Sequence, residues 1–254
     1  MTHALIQAGS DQVVGIVRSD CLVYRRSLPG GLWYLVRRTG LRFVGRKGLE
    51  LMQSRAMAIF LRIIGRPPNV PSLREIKARY GIPVVGSKDV NDANTMSVVR
   101  GWRPDLVISI YLNQLIRREL IDLPQVGCLN IHPALLPRNR GLFPYFWVIA
   151  NGDEETGVTL HWVDEKFDTG DILLQEVLPL KPEDTMTALQ YKSAQVGAEM
   201  LVRGVGLIEA GNPPRIAQDN SQATYYSFPR PADQRRFRQR GGDYGTVFEL
   251  ARYI

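Results

Sequence analysis

Two polar side chains close an apolar run in Gly127-Cys-Leu-Asn-Ile-His-Pro, and a proline-punctuated loop follows as far as Gly141. Residues two apart on a strand share a face, so Asn130 and His132 point the same way. They sit at the carboxyl end of the strand, the edge at which open α/β sheets take their ligands. Farther on, Thr156 to Asp164 reads as a strand, and Phe167-Asp-Thr-Gly-Asp171 reads as a turn able to bring the Asp168 carboxylate to that edge. An amide, an imidazole and a carboxylate suit acyl transfer onto an amine. The carboxylate can take the proton that the amine loses, directly or through one water, while the Asn130 amide and a protonated His132 can stabilise negative charge on the acyl oxygen. No serine or cysteine nucleophile is required.

Plainer readings stand beside these. Asp-Thr-Gly-Asp is good turn chemistry in its own right, and His161, on a strand with Val158, Leu160 and Trp162, fits a packed structural histidine as well as a pocket residue. A metal site is not expected, because no His-x-x-x-His or Cys-x-x-Cys spacing is present. The absence of a Gly-x-Gly-x-x-Gly or phosphate loop argues against a dinucleotide or triphosphate cofactor.

The elements that must position this set alternate. The sequence predicts a helix end over His3 to Ala8, a strand over Gln12 to Val17, helices over Leu32 to Arg38 and Gly45 to Ile64 closed by Gly65-Arg-Pro-Pro68, a helix over Ser72 to Tyr80, and a strand over Ile82 to Val85. There follow a helix over Ala93 to Gly101, a strand over Leu106 to Ile110, a short helix over Gln114 to Leu120, strands at Cys128 to Ile131, Thr156 to Val163 and Ile172 to Leu178, and helices over Phe143 to Ala150 and Thr185 to Glu209. This βαβ rhythm, in 254 residues of which 44% are apolar, specifies an α/β fold with one main core. The opening lacks the apolar strand and Gly-bearing turn with which wound α/β domains start, so the first strand is expected to be missing. Pro213 to Ile254 shows no clear period.

Asn-x-His-Pro, the Leu-Leu-Pro loop, Gly-Val-Thr-x-His and Asp-Thr-Gly-Asp-Ile, in this order and spacing, resemble the 10-formyltetrahydrofolate-dependent formyltransferases over about Pro104 to Gly211. The resemblance implies a Rossmann-like open twisted sheet with flanking helices, with 10-formyltetrahydrofolate as formyl donor. It puts the catalytic set on Asn130, His132 and Asp168 and implicates Tyr111, Gln114, Leu115, Ile116, Asp164 and Phe167 in the folate pocket. Ala134 stands where many relatives carry Ser, and the residues after the long helix are too few for the C-terminal barrel of methionyl-tRNA formyltransferases. Phe143-Pro-Tyr-Phe-Trp147 resembles a Pro-x-x-Trp motif of amino-sugar enzymes. By elimination the acceptor is an amino sugar, such as a nucleotide-linked one, or another small amine, with Arg138, Arg140 and Trp147 as candidate substrate contacts and no nucleic acid expected. A formyltetrahydrofolate hydrolase and a non-catalytic binding protein of the same fold remain as alternatives. The core is placed at residues 1–211, with 212–254 as a tail or small appendage, and a homodimer that covers a bare sheet edge is a further expectation.

The net charge of +7 is concentrated. Between Cys21 and Arg74 eleven basic residues face one acid, Glu50, a local +10, so the remainder carries −3. Two readings stay open for this basic helical insertion at about 24–68: a solvated basic face packed on the core, or peripheral contact with anionic lipid through Trp33, Phe43 and Phe60 among arginines. The longest apolar run, Ala56 to Leu61, is far shorter than the roughly 20 residues of a spanning helix. Cys21 and Cys128 are too few for a disulfide framework and fit free thiols in a reducing compartment, so the expected location is the cytoplasm.

Overall fold

The computed structural model describes residues 1–9, 12–65, 71–246 and 249. Of the helix stop expected at Gly65 to Pro68, only Gly65 lies within the described residues. The chain runs α1 (Thr2–Ala8), β1 (Ile16–Ser19), α2 (Leu28–Thr39), α3 (Leu41–Ile63), α4 (Leu73–Tyr80), β2 (Val84–Ser87), α5 (Ala93–Trp102), β3 (Leu106–Ile110), α6 (Arg118–Ile121) and β4 (Gly127–His132). It continues through β5 (Arg140–Gly141), α7 (Pro144–Asn151), β6 (Glu155–Trp162), β7 (Ile172–Pro179), α8 (Met186–Glu209), β8 (Tyr225–Tyr226) and α9 (Pro231–Gln239).

The layering is the Rossmann-like α/β arrangement, but its strands fall into separate ladders. A four-stranded sheet has the order β3-β4-β6-β7, and two-stranded sheets pair β1 with β2 and β5 with β8. The β3–β4 pair is parallel, whereas β4–β6 and β6–β7 are antiparallel. Among the described residues no strand joins β1 to β3. Gln114 ties the two units together: its Nε2 donates to Ser19 Oγ at 2.8 Å and its Oε1 accepts from Val90 N at 3.0 Å.

Local chemistry explains where the helices start. Ser72 and Glu75 form a reciprocal capping box at α4, and Asp92 and Thr185 cap α5 and α8 through the amides of Thr95 and Ala188, meeting donors that a helix cannot satisfy internally. The long α8 lies over the four-stranded sheet, where Leu129, Val158, Leu160, Leu173, Met200 and Leu201 are almost wholly removed from water. Gly204 permits this contact, since a Cβ there would meet the Leu160 side chain.

Three expectations need correction. The first strand begins at Ile16 rather than Gln12, because its ladder with β2 starts at the Ile16–Val84 pair, and Pro83 just before it has no N–H with which to extend the pairing. Only Arg118–Ile121 of the expected Gln114-to-Leu120 helix is helical; Gln114 is drawn inward, and the Arg117 amide donates to Asn91 Oδ1 at 2.8 Å. The segment after residue 211 is built into the core rather than hanging from it. β8 pairs with β5, Ile216 bridges to Ile172, and the buried Phe237 ring stacks on Phe146 at 4.7 Å and 11°.

Truncating a fully buried aromatic costs about 3–5 kcal/mol. Phe237→Ala should therefore lower the urea unfolding free energy by roughly that amount. A loss below about 1 kcal/mol would mean that the C-terminal segment is an appendage after all.

Candidate active site

β4 delivers Asn130 and His132 together, and its antiparallel partner β6 sets His161 opposite Asn130 and Thr159 opposite His132. Directly opposed residues share a face, so four polar side chains meet there. The turn between β6 and β7 brings Asp168 onto them. Asp168 adopts φ 56°, a region that L residues other than Asn and Asp seldom enter. Three features hold it there. Gln218 Nε2 donates to the carbonyls of Asp168 at 3.1 Å and Gly170 at 2.7 Å; Thr169 Oγ1 donates to the Asp164 carboxylate at 2.6 Å; and Gly170 abuts the Trp162 carbonyl, where any Cβ would overlap it.

Every hydrogen bond in the cluster constrains the next. His161 Nδ1 lies 2.7 Å from Trp162 O, and a carbonyl can only accept, so Nδ1 carries the proton. In the neutral ring Nε2 is then the acceptor, taking a hydrogen bond from Asn130 Nδ2 at 3.1 Å. The same amide nitrogen donates to Asp168 Oδ1 at 3.3 Å. Flipping Asn130 would set its oxygen against two acceptors, which fixes the amide orientation. His132 Nε2 donates to Asn139 O at 2.9 Å, leaving Nδ1 3.5 Å from Asp168 Oδ1, a contact that attracts only when Nδ1 is protonated. The Gly141 amide donates to Asp168 Oδ2 at 2.8 Å. Burial alone would raise the Asp168 pKa, but the charge of His132, the His161 ring when its Nε2 is protonated, and the Gly141 N–H more than offset it and bring it down to about 2.

The remaining sequence candidates scatter. Tyr111, with φ 53°, is half-exposed and receives the Tyr145 hydroxyl at 2.8 Å, and Phe167 is exposed. Asp164 caps its own turn. Gln114 and Ile116 are turned into the body, Ile116 against Val90, Met96 and Val99, and the Leu115 carbonyl is taken by Asn91 Nδ2 at 2.9 Å. Arg138 pairs with Glu155 at 3.0 Å. Trp147 is a core residue: it is buried, donates to Ser227 O at 3.0 Å and stacks on Tyr226 at 4.5 Å.

Arg140 is no solvated loop arginine. It is 7% exposed, and its Nη2 donates to Gln218 Oε1 and Asn220 Oδ1 at 2.7 and 2.8 Å. Its buried Nε has no partner, and burial lowers its pKa despite Asp168 and Asp164 nearby. It lines both a cleft of about 720 Å³, shared with Arg118, Val163, Asp164 and Lys166, and a smaller one of about 250 Å³ with Phe167 and Tyr225. Asn130, His132 and Asp168 line neither, although Phe167 and Thr169, on either side of Asp168 in the chain, line the smaller one. Cys128 is no rival nucleophile, because burial, with Asp122 nearby, pushes its thiol up to about 12.

Residues 61–205 match the family described as Formyl transferase, which is more than half of the chain and contains the whole cluster. The chain belongs to that family. Its curated relatives include methionyl-tRNA formyltransferases from Moorella thermoacetica, 38% identical over 164 residues, and from Syntrophus aciditrophicus, 37% identical over 161 residues. The matched stretch is 65% and 63% of this chain, respectively, and 53% and 52% of those proteins, so the chain spans about half the length of these relatives. Among solved structures, a sugar N-formyltransferase from Shewanella sp FDAARGOS_354 aligns with a TM-score of 0.51 at 25% identity, covering 63% of this chain and 61% of that one. The formyltransferase PseJ from Anoxybacillus kamchatkensis shares the fold, with a TM-score of 0.52 at 21% identity over 66% of this chain and 87% of that one. The matched family region begins near the end of α3, so α2 and nearly all of α3 precede it.

The family's strand and turn motifs thus converge on one carboxylate. Its folded-state pKa lies below the ordinary 3.8, so ionised Asp168 contributes stability that is complete above about pH 4 and is lost as pH falls through about 2. The window is worth roughly 2 kcal/mol. Urea unfolding at pH 5 and pH 2.5 should show Asp168→Asn losing less stability on acidification than the wild type. Parallel losses would place the titration on another group.

Proposed function

We propose that the chain transfers a formyl group from 10-formyltetrahydrofolate to an amine at the Asn130, His132, His161 and Asp168 cluster. The observation that carries this is a buried carboxylate kept ionised beside an imidazole at the carboxyl edge of β4. The donor supplies an activated formyl carbon when bound. The chemistry of the cleft beside Asp168 fits it: Val163 and Ile121 offer apolar walls, while Asp164, Lys166 and Thr169 offer polar groups.

In this reading one carbon–nitrogen bond to the donor breaks and one to the acceptor amine forms. The proton lost by the amine passes through Asp168 towards the departing nitrogen. A carboxylate with a pKa of about 2 is a weak base, so it takes that proton only after carbon–nitrogen bond formation has made the amine acidic. A protonated His132 Nδ1 both pairs with Asp168 and offers charge to the formyl oxygen. Asn130 acts here as a positioning residue, since its Nδ2 is shared between His161 and Asp168; an oxyanion role requires one of those bonds to open.

For the acceptor, a nucleotide-linked amino sugar is the reading supported by the likeness to the sugar N-formyltransferase and by Arg118, Arg140 and Lys166 around one cleft, cations suited to a diphosphate. The closer identity to methionyl-tRNA formyltransferases favours a second reading, an aminoacyl group as acceptor. Tetrahydrofolate release should depend on added amine, and in Asp168→Asn kcat should fall by about 10²–10⁴-fold. Release that is independent of amine would make the protein a hydrolase, and formylation of methionyl-tRNA but not of amino-sugar nucleotides would establish the second reading. Unchanged turnover in both Asp168→Asn and His132→Ala would remove the cluster from catalysis.

A further inference from the structure

The α2–α3 hairpin takes no part in the site, and its surface is unlike the rest of the molecule. Its base is fixed: Gln234 Nε2 donates to Thr39 O at 2.6 Å, and the Phe43 ring meets Phe143 and Tyr244 edge-on at 5.8 and 6.0 Å. Beyond Phe43 no residue of α3 is buried, although the helix continues for about 30 Å at 1.5 Å per residue.

Its exposed apolar side chains are ordered. Leu41, Gly45, Leu49, Met52, Ala56, Phe60 and Ile63 follow one another at steps of three and four, which places them on one face. The large ones, together with the adjoining Ile59, are between 54% and 77% exposed. Arg42 and Arg46 fall on one border of this stripe by the same geometry, and Arg55 and Arg62 on the other. The sole acid of α2 and α3, Glu50, lies on the opposite side, paired with Lys47 at 2.8 Å. Arg42 and Arg55 have no carboxylate within ion-pair distance among the described residues. Midway along α2, Trp33 is 59% exposed with Arg37 over its ring at 5.0 Å.

We propose that α3 lies flat on an anionic lipid surface, its stripe entering the headgroup boundary and Arg42 and Arg55, one on each border, meeting lipid phosphates. Arg62 stays paired with Glu75, and Arg46 rests on the Tyr244 ring and the Gly245 carbonyl. An apolar face flanked by cations whose long stems can reach outward is what such a surface takes. Among the described residues no helix is long and apolar enough to cross a membrane, so the contact is peripheral. A second copy would set one strongly cationic hairpin against another. RNA would satisfy the arginines and could stack on Phe60, but the Leu, Met and Ile that make up most of the stripe have no face on which a base can stack.

The test is co-sedimentation of the full chain with vesicles of phosphatidylcholine alone or with 30% phosphatidylglycerol, so it reads lipid binding and not formyl transfer. The expected result is binding to the anionic vesicles that weakens sharply at about 1 M salt, where screening reaches about 3 Å. Arg55→Ala should weaken it about fivefold, and Met52→Glu with Phe60→Glu should abolish it while leaving the thermal melt unchanged, because neither side chain is buried. Absence of anionic-vesicle binding, or binding indifferent to Met52→Glu with Phe60→Glu, overturns the proposal. So does a dimer in sedimentation equilibrium that the same two substitutions dissociate, or tighter binding to RNA than to vesicles that survives them.

Discussion

The Asp168 carboxylate is the group that the rest of the site answers to. A buried charge without partners would be too costly to keep, and this one has several: Asn130 Nδ2 and a protonated His132 Nδ1 at Oδ1, and the Gly141 amide on Oδ2. The groups around it arrive on separate elements, Asn130 and His132 on β4, His161 on β6 and Gly141 on β5. The β4–β6 register must be right for Asn130 and His161, the loop after β4 must return for Gly141, and the turn before β7 must hold a left-handed residue. Thr159 serves the same end, donating to Ala134 O and accepting from the Leu136 amide and Gln175, which pins the loop on its way to Gly141.

Polar side chains carry a second responsibility. The β1–β2 unit and the four-stranded sheet share no backbone ladder among the described residues; they meet through Gln114 and through Asn113, whose Nδ2 reaches the Cys21 carbonyl at 3.4 Å. Behind that seam α1 spans both units, with Ile6 in the cluster of Ile76 and Ile82 and Met1 and Leu5 in the cluster under α8. The Asp168 cluster lies on the far side of the larger sheet, anchored instead by the C-terminal segment. The cationic hairpin is separate again, joined at its base by the Phe43 ring contacts and the Gln234–Thr39 hydrogen bond and near the end of α3 by the Arg62–Glu75 ion pair. Three regions with different surface chemistry therefore share one core.

What the sequence disclosed followed from strong local rules. Strand parity puts Asn130 and His132 on one face, and turn chemistry puts Asp168 at a strand junction, so these placements needed no tertiary knowledge. His161 stayed undecided because β6 is buried on both faces from Thr156 to Trp162, and parity cannot say which face looks at the cluster. Gln218 went unnoticed: it sits in an aperiodic stretch, and its role rests on carbonyls about fifty residues away. Gln114 and Ile116 enter the folate pocket only through the family resemblance, and periodicity could not show that their side chains turn inward, because that turn is dictated by partners on other elements, Ser19 and Val90 among them. Trp147 resembled a motif residue, yet the stacked Tyr226 makes it part of a core that only the folded C-terminal segment completes.

Gln218 touches no reacting atom and holds Asp168 only through the backbone, so it separates a carboxylate that works by position from one that is merely nearby. Single-turnover formyl transfer should be measured in a double-mutant cycle of Gln218→Ala and Asp168→Asn. If the held carboxylate does the chemistry, Gln218→Ala slows transfer by about 10²-fold in the wild type, the scale expected of a 1 Å misplacement, and scarcely at all once Asp168 is Asn. An equal slowing in both backgrounds would contradict the central role given to Asp168.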